Sequence, residues 1–299
     1  MPQIWMNGSL TDDSTAAVPV RDTGLLHAAG VFTTMRAVAG KVFRLDQHLT
    51  RLRESCQTLS IPLPYDDGTL AAAARETMAA NNLADARLRL TVTRGSASAD
   101  AGGSLELVPA VFLTAAPLQP YPSEFYIRGM TVVLIDDQKL NPYDVQAGHK
   151  TLNYLSRLAA LRSANLRGAG EALWFDVHNF LQSGSMSNVF TVKNRVLTTP
   201  PTPAEMRDPA VDNATPYPRS SVLPGVTRGA VIELARARGW DVRTAAIDVN
   251  ALLAADEVFL TNSIMGVMPV CRIERSAVGD DLPGPVTKAL GAALDAAMR

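Results

Sequence analysis

Short apolar runs separated by turn signals open the chain. Ile4-Trp5-Met6 precedes Asn7-Gly8, Val31 to Met35 forms a second run, and Val42-Phe43-Arg44-Leu45 follows Gly40, so residues 3–45 are expected to supply strands. The spacing then changes. Leu45, Leu49, Leu52, Cys56 and Leu59 recur every three or four residues behind Asp46, predicting an amphipathic helix with Asp46 as its N-cap. A second, Ala-rich helix is expected over 69–82. Period-two alternation in Arg87-Leu-Arg-Leu-Thr-Val-Thr-Arg94, ending at Gly95, predicts a strand, and 106–114 predicts another. This mixture reads as a small α+β domain over 1–118, with the proline-rich run Pro-Leu-Gln-Pro-Tyr-Pro at 117–122 marking a linker over 119–126.

A larger domain is expected over 127–299. It opens with the strand Met130-Thr-Val-Val-Leu-Ile135, continues through a polar loop to Lys150, and enters a helix from about 152 to 166. Strands are expected at 171–177, 187–192 and 195–198, then at 256–261 and 267–272. Pro224-Gly-Val-Thr227 introduces a helix carrying Ala230, Val231, Leu234 and Ala235, with Gly239 near its end, and another helix begins near Pro285. Residues 200–222 hold Pro200, Pro201, Pro203, Pro209, Pro216 and Pro218, too many for a helix or central strand, and are expected to form a long ordered loop or a lid.

With 299 residues the chain is long enough for one large or two medium domains around a small-molecule site. Its 28 basic and 29 acidic residues are dispersed and leave a net charge of -1, which gives no electrostatic footprint for nucleic acid or an anionic membrane. Cys56 and Cys271 are far apart and in no metal-ligand spacing, so two free thiols are expected rather than a disulfide framework or a metal site. There is no uninterrupted apolar run of about 18 residues, and no basic segment precedes an apolar one near Met1; a soluble cytoplasmic protein is expected.

Three segments carry candidate chemistry. Lys150 lies in Gly148-His-Lys-Thr-Leu-Asn-Tyr154, and alone it reads as a solvated surface lysine. Leu223-Pro-Gly-Val-Thr-Arg228 opens a helix whose free N–H groups and positive dipole end suit a phosphate, although an ordinary capped helix has the same pattern. Leu260-Thr-Asn-Ser-Ile-Met-Gly266 ends a strand with two hydroxyls and an amide just before a glycine, suited to an anion or simply to a turn.

The order of these segments is more specific than any one of them. Gly24-Leu-Leu-His-Ala-Ala-Gly-Val-Phe-Thr-Thr-Met-Arg36 comes first, followed by Phe43-Arg-Leu-Asp-Gln-His-Leu-Thr-Arg-Leu52 and the Lys150 segment. Gly184-Ser-Met-Ser-Asn-Val-Phe190, Leu223 to Arg228, and Glu257-Val-Phe-Leu-Thr-Asn-Ser263 with Pro269-Val270 complete the series. From about Trp5 to Lys288 the chain resembles the fold-type IV (class IV) pyridoxal-phosphate (PLP) aminotransferase family. That family includes branched-chain and D-amino-acid aminotransferases and aminodeoxychorismate lyase. The resemblance implies a two-domain α+β fold like that of D-amino-acid aminotransferase, with a small α/β domain and a larger PLP-binding domain that has a barrel-like β core. It also implies PLP as cofactor, a small amino-acid or oxo-acid substrate, a homodimer, and no metal, nucleic acid or membrane partner.

Site roles follow from the same resemblance. Lys150 matches the Schiff-base lysine, which anchors PLP and shuttles the substrate α-proton. Arg51 matches the arginine on the cofactor phosphate, where a planar fork suits two oxygens. Gly225, Val226 and Thr227 are expected on the same phosphate, with Ser263 and Ile264 closing the cup. Tyr154 corresponds to a tyrosine near the PLP phenolic oxygen, while Ser183, Ser187 and Asn188 belong to the block beneath the ring. Phe32, Thr34, Arg94 and Met265 are the expected substrate contacts.

The chain departs from the family at Ser183. That position usually holds a glutamate which pairs with the pyridine nitrogen and keeps it protonated; a serine hydroxyl cannot enforce this. Either Gln182 or a carboxylate elsewhere substitutes, or the chemistry relies less on electron withdrawal by the ring, or activity is impaired. Ala28-Ala29, where Gly-Asp is common, also favours a non-catalytic homologue. Phe32 to Arg36, Lys150 to Asn153 and Asn262 to Val270 resemble aminodeoxychorismate lyase, which releases pyruvate and p-aminobenzoate, whereas Gly284-Pro-Val-Thr-Lys288 resembles branched-chain enzymes. Transamination leads and the lyase is the alternative.

Overall fold

Asn7 and Gly8 both take left-handed backbone, with φ of 48° and 102°, and the chain reverses between β1 (Gln3–Met6) and β2 (Ser9–Asp12). α1 (Thr23–His27), β3 (Gly30–Val38), β4 (Lys41–Val42), α2 (Leu45–Thr58) and α3 (Asp67–Ala80) follow. β5 (Ala86–Thr93), β6 (Ser96–Ala99), β7 (Leu105–Val108) and β8 (Val111–Pro117) come next. The computed structural model describes residues 1–99, 105–207 and 219–299. By its contacts the chain divides into two units, Met1–Gln119 with His149–Tyr154 and Arg299, and Pro120–Gly148 with Leu155–Met298.

In the first unit an antiparallel sheet in the order β2-β1-β8-β5-β3-β4 carries Met35, Leu88, Leu90, Val92 and Leu113 on one face. Leu49, Leu52 and Cys56 of α2 and Leu70, Ala73 and Met78 of α3 pack with them. Burying each large side chain contributes about 1.5–3 kcal/mol. Two expectations are corrected. The strand expected over 106–114 is two strands, because Pro109 has no N–H to give a ladder and residues 109–110 separate β7 from β8, with β6 and β7 pairing antiparallel apart from the main sheet. The N-cap of α2 is Arg44, in the left-handed conformation at φ 50°; Asp46 lies in the first turn, where its carboxylate faces the positive helix end.

By its contacts His149–Tyr154 groups with this first unit, although the sequence places it in the expected domain over 127–299. β4 covers only the far end of β3, and Lys150 to Leu152 line the rest of that edge: Phe32 N donates to the Lys150 carbonyl and Leu152 N to the Gly30 carbonyl, both at 2.9 Å. The helix expected from 152 therefore starts only at Leu155.

The second unit begins within the expected linker, as α4 (Ser123–Arg128) occupies part of 119–126. β9 (Met130–Leu134), α5 (Leu155–Leu166), β10 (Glu171–Phe175), β11 (Leu181–Gly184), β12 (Asn188–Lys193) and β13 (Val196–Thr199) follow, then α6 (Val226–Ala237). β14 (Val242–Thr244), α7 (Val249–Leu253), β15 (Glu257–Asn262), β16 (Gly266–Ile273), β17 (Ser276–Ala277) and α8 (Pro285–Met298) complete it. Its sheet runs β11-β10-β9-β16-β15-β12-β13-β14, with β17 on β16, and forms a half-barrel. β9 is parallel to both β10 and β16; the other pairings are antiparallel apart from β13 with β14. The architecture is α+β. Pro209, Pro216 and Pro218 of the expected loop lie outside the described residues, and on its near side Glu205–Arg207 form a single helical turn.

Candidate active site

In the first unit, β3 and the Lys150 segment come so close that only glycine fits at residue 30. A Cβ there would lie 2.6 Å from the Leu152 side chain and 2.7 Å from the Val92 carbonyl oxygen. With its backbone fixed this way, Lys150 donates from Nζ to the Tyr154 hydroxyl at 2.9 Å. Nζ also lies 4.6 Å from the centre of the Phe32 ring, which meets Tyr154 edge to face at 5.2 Å. Arg89, which no sequence motif marked, joins this group: its guanidinium is 3.6 Å from the same Phe32 centre and its Nε donates to Thr91 Oγ1. Register explains the grouping: Thr34 faces Arg89 and Phe32 faces Thr91 across the β3–β5 pair, so all four share one face. Arg94 is exposed, and its backbone N–H donates to the Ala29 carbonyl.

Arg51, on α2, donates from Nη2 to Thr33 Oγ1 at 3.0 Å, and Thr33 Oγ1 lies 2.8 Å from His48 Nδ1. Arginine offers only hydrogens, so Thr33 accepts from Arg51, and with an unprotonated Nδ1 on His48 its own proton goes to that nitrogen. Burial first, then the positive charges of Arg51 and Lys150, hold His48 well below its ordinary value of 6.5. Burial also brings Arg51 down to about 10, with Tyr154 acting in the opposite direction.

In the second unit, the turn from β11 to β12 closes through Gly184 N and the Ser187 carbonyl at 2.9 Å. A Cβ on Gly184 would collide with Ser187 Oγ. Beneath the turn lies Glu171, buried, accepting from the backbone N–H of Ala172, Ser185 and Met186 at 3.0, 3.1 and 3.1 Å and from Ser187 Oγ at 3.0 Å. Burial raises its pKa against these hydrogen bonds. Nothing in the local sequence marked Glu171, since three of its four partners are 14 to 16 residues away. Gln182 has both ends of its amide engaged: Nε2 donates to Asp176 at 2.9 Å and Oε1 accepts from Ser221 N at 3.0 Å. Ser183 is buried opposite Trp174, and Arg157 Nη1 donates to its Oγ at 3.2 Å.

α6 starts at Gly225 with no side-chain cap and no acidic residue in its first turn; Thr227 is buried there. Asn188 fixes the approach to this helix, as Nδ2 donates to the Leu223 carbonyl at 2.9 Å and a Cβ on Gly225 would strike its Oδ1. A second asparagine shapes the end of β15: Asn262 Oδ1 accepts from Ile264 N and Met265 N at 2.9 and 2.8 Å, while Nδ2 reaches the Met186 carbonyl. The 184–187 turn, the 223–227 loop and the Ser263–Ile264 turn are thereby tied together. Thr261 Oγ1, two residues before Ser263, is buried without a hydrogen-bond partner. An uncapped helix start beside a partnerless buried hydroxyl fits the phosphate of PLP. Met265, expected at the substrate, is buried among the apolar residues of this unit.

Arg228 anchors the start of the proline-rich segment to α6. Its side chain is 4% exposed, meets both oxygens of Glu205 at 3.0 and 2.8 Å and donates to the Pro200 carbonyl at 3.0 Å. Burial pushes Glu205 up, but the hydrogen bonds and charge of Arg228 outweigh it and lower the carboxyl overall. Among the described residues no group of three or more histidine, cysteine, aspartate or glutamate side chains is arranged to hold a metal. No helix among them is long and apolar enough to cross a membrane.

Comparison with known proteins bears on the whole chain. The family model of class IV amino-transferases matches residues 30–206 and 212–273. A Methanocaldococcus jannaschii protein assigned as a branched-chain-amino-acid aminotransferase is 35% identical over 289 residues, covering 96% of this chain and 93% of its own. The D-alanine aminotransferase of Bacillus licheniformis is 30% identical over 98% of this chain and 95% of its own. The structure of the Escherichia coli branched-chain amino acid aminotransferase superposes with a TM-score of 0.87 at 29% identity, over 98% of this chain and 93% of that one.

Proposed function

The chain belongs to the class IV aminotransferase family, whose enzymes use PLP, and on that premise we propose that it moves an amino group between an amino acid and a 2-oxo acid, with Lys150 bonded to the cofactor. One observation carries the reading: Lys150 is fixed to β3 through its backbone while its Nζ donates to the Tyr154 hydroxyl at 2.9 Å.

Bound PLP supplies a ring that accepts the electrons left when a proton leaves the carbon beside the substrate amino group. The protein's own residues do the rest. Lys150 would hold the cofactor through Nζ, and as a free amine the same Nζ would take and return the α-proton. Tyr154 accepts from Nζ and orients it. Arg51, whose guanidinium Thr33 holds in place, would hold the phosphate from the first unit, and Val226, Thr227 and Ser263 are the donors the second unit would offer to it. For the substrate carboxylate the anchor in this reading is Arg89 and not Arg94, because Arg89 is partly buried against Phe32 while Arg94 is exposed. A homodimer belongs to the same proposal, supported by Leu155, Leu158 and Leu166, which are exposed along α5.

The test is a half-reaction. Holoenzyme mixed with L-leucine, L-glutamate or D-alanine is expected to convert bound PLP to pyridoxamine phosphate with at least one donor. Should none do so while aminodeoxychorismate yields p-aminobenzoate and pyruvate, the enzyme is a lyase. PLP that stays bound and unchanged with every substrate contradicts both catalytic readings.

A further inference from the structure

Ser183 stands where the family motif has the carboxylate that meets the pyridine nitrogen, and the side chain held against it is a guanidinium. Arg157 Nη1 donates to Ser183 Oγ at 3.2 Å, to the Gly184 carbonyl at 3.0 Å and to the Ser185 carbonyl at 3.4 Å. Its guanidinium carbon lies 5.6 Å from the centre of the Trp174 ring, and Trp174 is fixed in turn by its Nε1 donating to Ser185 Oγ at 2.9 Å. We propose that Arg157 is a positioning residue that keeps the pyridine nitrogen of the bound cofactor unprotonated, acting through the Ser183 hydroxyl.

Hydrogen-bond inventory gives the first argument. A carboxylate only accepts, so it pairs with a protonated nitrogen. A serine hydroxyl has one proton and two lone pairs, and an arginine has only hydrogens to give. Ser183 Oγ therefore accepts from Arg157, and its single proton is left to donate elsewhere. The partner of a donor is a nitrogen with a free lone pair. Charge gives the second argument, because a guanidinium stays ionised throughout the working pH range and its positive field disfavours a second positive charge on the ring nearby. The third is elimination. Glu171 accepts four hydrogen bonds from the 184–187 turn and its own strand, and the Gln182 amide is committed at both ends, so the two neighbours that would replace a carboxylate are engaged elsewhere.

The consequence is a ring that withdraws electrons less strongly. More of the work of proton transfer then falls on Lys150, and negative charge at the substrate carbon is held more briefly.

This inference rests on the PLP reading above, and the experiment separates the two. Cofactor labelled with nitrogen-15 at the pyridine position is bound to the full-length protein, and its resonance is followed with pH by NMR. The expected result is a resonance in the unprotonated pyridine range across neutral pH. It is expected to stay there in Arg157→Lys, which keeps the charge, and to move to the pyridinium range in the double variant Ser183→Glu with Arg157→Gln. A pyridinium resonance in the wild-type protein overturns the inference while leaving the PLP reading intact, and so does an Arg157→Gln variant with the wild-type resonance and pH response. Labelled PLP that does not stay with the protein through gel filtration overturns both. Bound fraction and resonance position are read independently of turnover, so a merely structural role for Arg157 would lower the first without moving the second.

Discussion

A buried polar chain links α2 to β3, running from Arg51 through the Thr33 hydroxyl to His48. Its pH dependence follows from the imidazole. An unfolded chain protonates histidine as pH falls through about 6.5, whereas folded His48 is held neutral to well below that value by burial and by the charges of Arg51 and Lys150. The folded state therefore keeps its full stability above about pH 6.5 and loses up to about 1.4 kcal/mol per pH unit below it from this one residue. Urea titrations at several pH values should show that slope, flattened in His48→Gln relative to wild type. At this scale the wording of their segments nominated Lys150, Arg51 and Thr227 for the cofactor. Glu171, Thr33 and Arg157 were not legible, because each takes its meaning from a partner distant in sequence. Arg89 was half visible: the alternation through Arg87, Arg89 and Thr91 put it on the Phe32 face, but only the cross-strand register brought the two together.

Among the elements, the joint between β3 and the Lys150 segment matters most to the site. Gly30→Ala would put a methyl group 2.7 Å from the Val92 carbonyl, and overpacking of this kind costs about 1–3 kcal/mol. The expected outcome is a lower melting temperature together with weaker retention of PLP, read by thermal unfolding and by absorbance after desalting. In the second unit, Glu205→Ala leaves the buried Arg228 guanidinium without its carboxylate, and breaking such a pair costs about 3–5 kcal/mol. Chemical denaturation should report a loss of that order. Periodicity located α2, α3, α6 and α8 closely. It failed where a tertiary partner decides the outcome: residues 152–154 read as the first turn of a helix, yet Leu152 pairs with Gly30 and delays the start of α5 to Leu155. β11 is too short, and its Leu-Gln-Ser-Gly too polar, to stand out as a strand in a single sequence.

For the whole molecule, evenly dispersed charge pointed to no class of partner, and the family was legible only in the order of six short blocks. The prolines at 117–122 suggested a division near residue 120, but nothing in the sequence suggested that His149–Tyr154 groups with the first unit, because an edge pairing has no signature of its own in an amphipathic stretch. The proposed homodimer makes a prediction at this scale. Leu158→Glu with Leu166→Glu places charge on the exposed apolar stripe of α5 and should shift sedimentation from dimer to monomer. A wild-type protein that sediments as a monomer at working concentration contradicts the homodimer.

The most direct test of the central claim is covalent trapping. Holoenzyme is reduced with borohydride, digested, and analysed by peptide mass spectrometry. The account predicts a phosphopyridoxyl adduct on the peptide that contains Lys150 and none in Lys150→Ala. An adduct on any other lysine, or PLP that binds without becoming reducible onto the chain, would contradict it.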